Sequence, residues 1–267
     1  MTYQDLLRHL TELSLLAEPA LPGERGGCMS SFDRASQYDP QTDTYLEWSA
    51  NNDGSGAIER LEDGSIVAFA CEGPGVIWRI WSALPQQGAM RVYLDDQEKP
   101  AIDVPFIDWF EKQPGDTPPL NYGELSLRLS RGRNSFFPIP FKRRCRVVLS
   151  PGWGEYYHFT YTRFPEGTEM PDCVSREGLI ALAETDHRLY DRGEAEYENV
   201  TRTLTRLMPG EEKTVFTRSD SGAICEMTLY PEGVTGDAFL LRRLILKMYW
   251  DGRKLPAVEA PLGDFFG

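Results

Sequence analysis

The sequence lacks the short signatures of the commonest enzyme and metal sites. It has three histidines, and the patterns H-E-x-x-H, G-x-S-x-G and G-x-G-x-x-G are all absent, which disfavours zinc peptidases, α/β-hydrolases and dinucleotide-binding proteins. The five cysteines are odd in number and never form a C-x-x-C pair. A disulfide framework or a zinc site is therefore not indicated, and reduced thiols are typical of a cytoplasmic protein. We expect neither a metal nor another cofactor.

Basic charge and long apolar runs are also scarce. The chain has 28 Lys and Arg against 41 Asp and Glu, a net charge of −13. Such a chain repels polyanions, so nucleic acid is not an expected partner. No apolar run reaches the length of a membrane span, and the N-terminus is unlike a signal peptide. Residues 1–19 instead predict an amphipathic helix that places four leucines on one face, Leu6, Leu7, Leu10 and Leu13.

The chain does contain an internal repeat. Arg91–Phe110 aligns without a gap with Lys247–Phe266, and seven of the 20 positions are identical, where composition gives about one by chance. The repeat predicts two copies of one fold. Asp108 and Asp264 occupy the same position in the two copies, so a structural role is favoured over a catalytic one.

Short segments rich in aromatic and β-branched residues, separated by glycine and proline, predict an all-β sandwich or barrel. One helix, Arg176–Tyr190 with Ser175 as its N-cap, interrupts them as a linker. Asp251-Gly252 predicts a hairpin turn. The predicted strands are Ser65–Cys71, Val76–Ser82, Met90–Asp95, Ser135–Phe141, Cys145–Leu149, Tyr156–Phe164, Asn199–Leu207, Lys213–Arg218, Ala223–Tyr230 and Phe239–Trp250.

Three motifs have both a structural and a functional interpretation. Asp33-Arg34 is either an ion pair that anchors a loop or a pair that binds sugar hydroxyls. Asn51–Gly56 approaches a calcium-binding loop but begins with Asn, so a polar substrate-binding loop or a plain turn is favoured. In the strand Val76–Ser82, alternation places Trp78 and Ile80 on one face; Ile77, Arg79 and Trp81 lie on the other, as core residues or as a stacking platform for sugar.

These motifs resemble glycoside hydrolase family 172, formerly a domain of unknown function. The resemblance covers most of the chain from about residue 28 and is carried by the segments Ser31–Arg34, Asn51–Asp53, Gly73–Trp81, Arg91–Asp95, Phe137–Phe141, Tyr249–Gly252 and Pro261–Gly267. It implies a furanosidase that acts on fructofuranosides or arabinofuranosides by a retaining mechanism with two glutamates. It also implies a homotrimer or higher oligomer, and a sugar pocket lined by Asp33, Arg34, Asn52 and Asp53, with Trp48 as a further candidate.

The resemblance refines the expected domain organisation to tandem jelly rolls. We expect an N-terminal helix and loop over 1–27, a first jelly roll over 28–165, a helical linker over 166–198 and a partial second jelly roll over 199–267. In the family the glutamates follow the segment that resembles Pro261–Gly267, so we expect this chain to lack them and to be inactive alone; its catalytic residues stay unknown. The alternatives are a non-catalytic module that binds carbohydrate or forms trimers, and one half of a split enzyme.

Overall fold

The computed structural model describes residues 1–111, 123–173, 175–191, 199–232 and 239–266. They form two compact units, residues 1–220 and 221–267. The helices are α1 (Tyr3–Thr11), α2 (Asp108–Glu111), α3 (Arg176–Tyr190), α4 (Leu240–Arg243) and α5 (Leu262–Phe266), with a 3₁₀ turn over Leu13–Ala17. The strands are β1 (Arg25–Ser30), β2 (Gln37–Asp39), β3 (Thr44–Leu46), β4 (Glu59–Arg60), β5 (Ile66–Glu72), β6 (Gly75–Pro85), β7 (Ala89–Leu94), β8 (Ile102–Pro105), β9 (Ser126–Leu129), β10 (Gly132–Ser135), β11 (Ile139–Phe141), β12 (Arg144–Leu149), β13 (Gly154–Arg163), β14 (Ile245–Met248) and β15 (Val258–Pro261).

The first unit is a β-sandwich. One sheet has the strand order β1-β13-β6-β10-β9, with β11 also paired to β6, and the other has the order β4-β5-β12-β7-β8. All pairs in both sheets are antiparallel. The chain passes repeatedly from one sheet to the other, as from β5 to β6 and from β6 to β7. The prediction of a mostly β structure with an N-terminal helix is confirmed.

Aromatic side chains join the two sheets across the core. Phe69 of β5 is fully buried and contacts three rings of the opposite sheet: Phe141 at a centroid distance of 6.4 Å, Phe159 at 5.9 Å and Tyr161 at 5.2 Å. Six strands are predicted between residues 65 and 164, and all but one of them begin and end close to their predicted bounds. The exception is Ser135–Phe141, which is divided into β10 and β11 because Pro138 cannot donate a ladder hydrogen bond.

The N-terminal helix is shorter than predicted. A capping box starts α1: the Asp5 backbone N–H donates to Thr2 Oγ1, and the Thr2 N–H donates to the Asp5 carboxylate. The helix ends at Thr11 rather than near residue 19, because Glu12 is extended and its N–H bonds back to the Arg8 carbonyl. Leu6 and Leu7 are fully buried in the sandwich core, so the predicted apolar face is confirmed for these two leucines.

Helix α3 has the predicted bounds and the predicted cap, since Ser175 Oγ accepts from the Gly178 N–H. The helix packs against α1. A Cβ on Gly178 would lie 3.3 Å from the Tyr3 ring, and Ala181 and Leu182 are buried in the same core cluster as Tyr3. The segment that the sequence presents as a linker therefore packs against the first sandwich.

The predicted strands Asn199–Leu207, Lys213–Arg218 and Ala223–Tyr230 are wrong, because the structure has no strand there. Most of their large apolar side chains are exposed, for example Leu204 at 97%. β-propensity reflects packing against neighbouring strands, and these segments have none. Phe239–Trp250 is only partly a strand, since its first half forms α4 and β14 follows.

The sequence repeat is also a structural repeat. In the first copy β7 pairs with β8, with Arg91 opposite Asp103 and Val92 opposite Ile102. In the second copy Lys247 is opposite Glu259 and Met248 opposite Val258, which is the same register 156 residues later. Asp251 and Gly252 both have positive φ, 51° and 66°, as the predicted hairpin turn requires. A short helix follows each hairpin.

Candidate functional site

Two aspartates hold the polar loop 51–56 against the end of β1. One carboxylate oxygen of Asp33 accepts from the Asn52 N–H at 3.0 Å, and the other accepts from the Ala35 N–H at 3.0 Å. Asp53 Oδ1 in turn accepts from the Asp33 N–H at 2.7 Å. We call this reciprocal arrangement of Asp33 and Asp53 the aspartate bracket. It fixes the backbone of loop 51–56 relative to the residues that follow β1.

Arg34 anchors the same loop through backbone carbonyls. Its guanidinium donates to the Ser30 carbonyl at 2.8 Å and to the Ala57 carbonyl at 3.4 Å. The guanidinium carbon also lies 3.7 Å from the centroid of the Phe32 ring, a cation–π distance. The loop-anchor interpretation of Asp33-Arg34 is therefore confirmed. The ion pair is wrong, since both side chains bond to the backbone instead of to each other.

Glycines allow loop 51–56 to approach the sheet closely. A Cβ on Gly56 would lie 1.9 Å from the Phe32 carbonyl oxygen, and a Cβ on Gly54 would lie 2.8 Å from the Tyr156 ring. Gly54 also has a φ of +102°, which other residues rarely adopt. The Gly56 carbonyl accepts from the Tyr157 hydroxyl at 3.0 Å. The loop is thus joined to β13 as well as to β1.

Exposed aromatic side chains lie on the hairpin β2–β3 and just after it. Tyr38 and Tyr45 are cross-strand partners, with ring centroids 5.3 Å apart. Trp48 continues the series at 5.5 Å from Tyr45 and is 77% exposed. We call Tyr38, Tyr45 and Trp48 the aromatic hairpin. Exposed, adjacent rings of this kind can stack on the apolar face of a sugar ring.

A row of side chains crosses the outward face of the β1-β13-β6-β10-β9 sheet. The register places its members opposite one another on five successive strands: Ser30, His158, Trp81, Asn134 and Leu127. Residues directly opposite on antiparallel strands share a face. Alternate residues of β13, such as Tyr157 and Phe159, are fully buried, so this row is on the outer face. We call it the outer row.

Trp81 and His158 are in ring contact within the outer row, with centroids 4.7 Å apart and planes inclined by 39°. The indole also lies across β10, because a Cβ on Gly132 would be 2.3 Å from Trp81 Nε1. Burial lowers the pKa of His158 below its usual value, and the nearby Arg79 charge lowers it further. His158 is therefore a neutral imidazole near pH 7.

Arg79 lies two residues from Trp81 on the same face. Its Nε donates to Asn134 Oδ1 at 2.9 Å, and Asn134 Nδ2 donates to the Leu127 carbonyl at 3.3 Å. Asn134 is 7% exposed, so its amide holds the arginine from a buried position. Burial lowers the pKa of Arg79. No carboxylate forms an ion pair with Arg79 within the part of the chain that the structure describes.

A β-bulge changes the predicted faces of β6. Thr160 is opposite Arg79 and Tyr161 is opposite Ile77, so Trp78 is an extra, unpaired residue. Ile77 and Ile80 are both fully buried, although simple alternation places them on opposite faces. Placing Ile77 with Arg79 and Trp81 is therefore wrong. The shared outward face of Arg79 and Trp81 is confirmed.

Two sequence-family models match the chain, one after the other. A family model described as the GH172 first beta-sandwich domain matches residues 22–176, and a second, described as GH172 domain-like, matches residues 197–267. The chain belongs to glycoside hydrolase family 172. No curated protein matches the chain in a search of such proteins.

Membership of family 172 implies a carbohydrate substrate. The structure brings four of the five sequence-predicted residues into one loop assembly, namely Asp33, Arg34, Asn52 and Asp53, while Trp48 lies on the aromatic hairpin. Sequence reasoning did not identify His158 and Asn134 as site residues. His158 and Asn134 lie on the two strands that flank the Gly73–Trp81 motif. Only the strand register reveals this position, so the sequence alone carried no signal for them.

Other features of the family 172 chain offer less chemistry. A shallow depression of about 790 Å³ has no charged residue in its lining, which is formed by Pro85, Gln86, Gln87, Gly88, Ala89, Ile107, Ser150, Pro151 and Gly152. Among the described residues, no group of three His, Cys, Asp or Glu side chains could hold a metal ion. None of the helices described is long and apolar enough to cross a membrane.

Proposed function

We propose that this family 172 chain binds a fructofuranoside or arabinofuranoside beside the aspartate bracket. The observation that carries the proposal is that loop 51–56 is fixed by charged hydrogen bonds at its start and presents Asn52 and Asp53 to solvent. A sugar has many hydroxyls, which pair with amide and carboxylate groups held in fixed positions. Family membership supplies the carbohydrate class.

Each predicted site residue has a distinct part in this proposal. Asp33 holds the loop, because both of its oxygens accept backbone hydrogen bonds. Arg34 supports the same backbone. Asp53 uses Oδ1 for the bracket and has Oδ2 for a sugar hydroxyl. Asn52 is exposed and supplies an amide, and Trp48 supplies a stacking surface.

The proposed reaction is retaining hydrolysis of a furanosidic bond. It requires a nucleophile and a general acid/base whose carboxyl groups are about 5 Å apart. Asp33 and Asp53 do not fit these roles, since backbone N–H groups occupy three of their four oxygens. We therefore propose that Asp33 and Asp53 are not the catalytic pair and that residues 1–267 bind the substrate without hydrolysing it. A non-catalytic binding module is the corresponding alternative.

The first sandwich supports a jelly-roll assignment in the same proposal. Its first and last strands are neighbours, β1 beside β13, and the chain crosses repeatedly between the two sheets, as from β5 to β6, β6 to β7 and β12 to β13, as in a jelly roll. We further propose a partial second jelly roll, a cytoplasmic location and assembly into a trimer or higher oligomer. Exposed apolar side chains such as Ile245 and Trp250 support assembly, and light scattering after size exclusion tests it.

Calorimetry and a turnover assay test the function. Methyl α-arabinofuranoside should bind to the wild-type chain, and Asp53→Ala should weaken binding about 10-fold through the loss of one charged hydrogen bond. Asp103→Ala, an exposed carboxylate on β8 in the other sheet, is the matched control and should bind normally. An aryl α-arabinofuranoside should not be cleaved. Turnover by this chain alone refutes the absence of the catalytic pair, and lack of any binding refutes the function.

A further inference from the structure

We propose that Trp81 and His158 of the outer row, together with Arg79 on the same face of the sheet, form a second sugar-binding position, so that the chain binds a substrate of at least two sugar units. This inference rests on the proposed function. It concerns Arg79, Trp81 and His158, which lie outside the aspartate bracket and the aromatic hairpin. Three features support it: a flat aromatic surface, a cation held in place without a carboxylate partner, and continuity with loop 51–56.

Trp81 has the orientation that a stacking surface needs. Gly132 allows the indole to lie across β10, since any Cβ there would overlap Trp81 Nε1. His158 contacts the same indole at 4.7 Å. Both rings are only partly buried, although they occupy the middle strands of the sheet. A sugar ring that packs on Trp81 would cover apolar surface that now contacts water.

Arg79 supplies the polar half of this position. The Nε–Asn134 hydrogen bond fixes the guanidinium plane, and Asn134 is itself fixed by the Leu127 carbonyl. The terminal nitrogens have no carboxylate within ion-pair distance among the described residues. A fixed guanidinium donates to pairs of adjacent hydroxyl oxygens with little further loss of conformational entropy. His158, neutral near pH 7, adds one acceptor or donor.

Strand β13 connects the outer row to loop 51–56. His158 is opposite Trp81. Two residues earlier, the Tyr156 ring contacts Gly54, and the Tyr156 backbone N–H donates to the Gly54 carbonyl at 3.1 Å. Two residues of a strand span about 7 Å, and neighbouring strands are about 4.8 Å apart. Tyr156, which bonds to Gly54, is therefore about 8 Å from Trp81, a distance that two linked sugar units span. One ring beside Asp53 and a second ring on Trp81 would be in reach of each other.

The test compares one-ring and two-ring ligands by calorimetry. Methyl α-arabinofuranoside and an α-linked arabinofuranosyl disaccharide are titrated into the wild-type chain, and the disaccharide should bind more tightly. Trp81→Ala should weaken the disaccharide by about 2- to 12-fold, the contribution of one aromatic stack, and leave the monosaccharide unchanged. Arg79→Met should have the same selective effect. Trp81→Phe keeps an aromatic ring and should retain part of the preference for the disaccharide. Binding of the disaccharide by this variant also shows that a substitution at position 81 leaves the fold intact.

Matched controls and the opposing outcomes keep the two proposals separate. Tyr190→Ala removes an exposed aromatic from α3, and Arg131→Met removes an exposed arginine between β9 and β10; neither should change either affinity. Equal affinity of the wild-type chain for both ligands, or equal loss of both in Trp81→Ala, overturns the second position while the proposed function stands. Failure of the wild-type chain to bind either ligand overturns the proposed function itself.

Discussion

The aspartate bracket makes a quantitative prediction about stability. Asp33→Ala removes two hydrogen bonds to backbone N–H groups, and Asp53→Ala removes one. A hydrogen bond to a charged group contributes about 1.5–3 kcal/mol, and exposure to solvent reduces this value. We therefore expect the free energy of unfolding to fall by about 2 kcal/mol in Asp33→Ala and by about 1 kcal/mol in Asp53→Ala.

The two losses should not add in the double variant. Either substitution releases loop 51–56, so the second substitution removes contacts that are already weakened. We expect the double variant to lose about 2 kcal/mol, which corresponds to a coupling of about 1 kcal/mol between the two aspartates. Loop release should affect global unfolding because the Gly56 carbonyl accepts from the fully buried Tyr157.

Urea denaturation of the four proteins measures this coupling, provided that the slope with urea concentration is the same in all of them. A parallel cycle between Asp33 and Asp103, which lies on the other sheet, serves as the control and should be additive. Additivity of Asp33→Ala and Asp53→Ala within about 0.5 kcal/mol would refute the reasoning. The carboxylates would then act on the loop independently of each other.

Four further outcomes follow from burial and charge. Leu6→Ala should lower the free energy of unfolding by about 2–5 kcal/mol in urea, because Leu6 is fully buried; a loss below 1 kcal/mol would place α1 outside the core. Ser135→Ala should raise it by about 1 kcal/mol, since Ser135 Oγ is buried with no hydrogen-bond partner in the part of the chain described; a loss would reveal a partner. Burial raises the pKa of the Cys173 thiol to about 12, so iodoacetamide at pH 8 should label the exposed Cys28 but not Cys173. Peptide mass spectrometry measures the labelling, and labelling of both cysteines in the native state contradicts the prediction. Burial also lowers the pKa of His158 below its usual 6.5, so the contribution of His158 to stability is complete above pH 6.5 and declines as the pH falls through the folded-state pKa. Between pH 7 and 5, the free energy of unfolding should therefore fall less in His158→Gln than in the wild type. An identical fall in both proteins contradicts the prediction.

The strands of the first sandwich could be predicted because each carries its own signal. The predicted strand Met90–Asp95 corresponds to β7, in which buried and half-buried residues alternate over a length that fits one strand. The helix Arg176–Tyr190 was marked by a capping serine and by its length. The turn of the second hairpin was marked by Asp251-Gly252, and the identical spacing of the repeat preserved the register in both copies.

The rest depended on contacts that a single segment does not encode. Residues 199–230 have strand-forming side chains without a neighbouring strand to pack against, and they form no strand and are mostly exposed. Asp33 and Asp53 could be selected as polar residues, but their reciprocal hydrogen bonds join positions 20 residues apart. His158 and Asn134 became visible only through the register, which places both of them opposite Trp81.

The bulge in β6 separates the pairing of this strand with β13 from its contact with helix α1. Trp78 is unpaired, while Ile77 and Arg79 on either side keep their partners on β13; a chain without Trp78 could therefore retain the same register. The side chain of Trp78 is instead engaged with His9 of α1, at a centroid distance of 5.6 Å, and donates to Thr162. The extra residue thus acts as an insertion that attaches the helix to the sheet. Engineers can vary that attachment, or remove it, without moving Arg79 from the outward face.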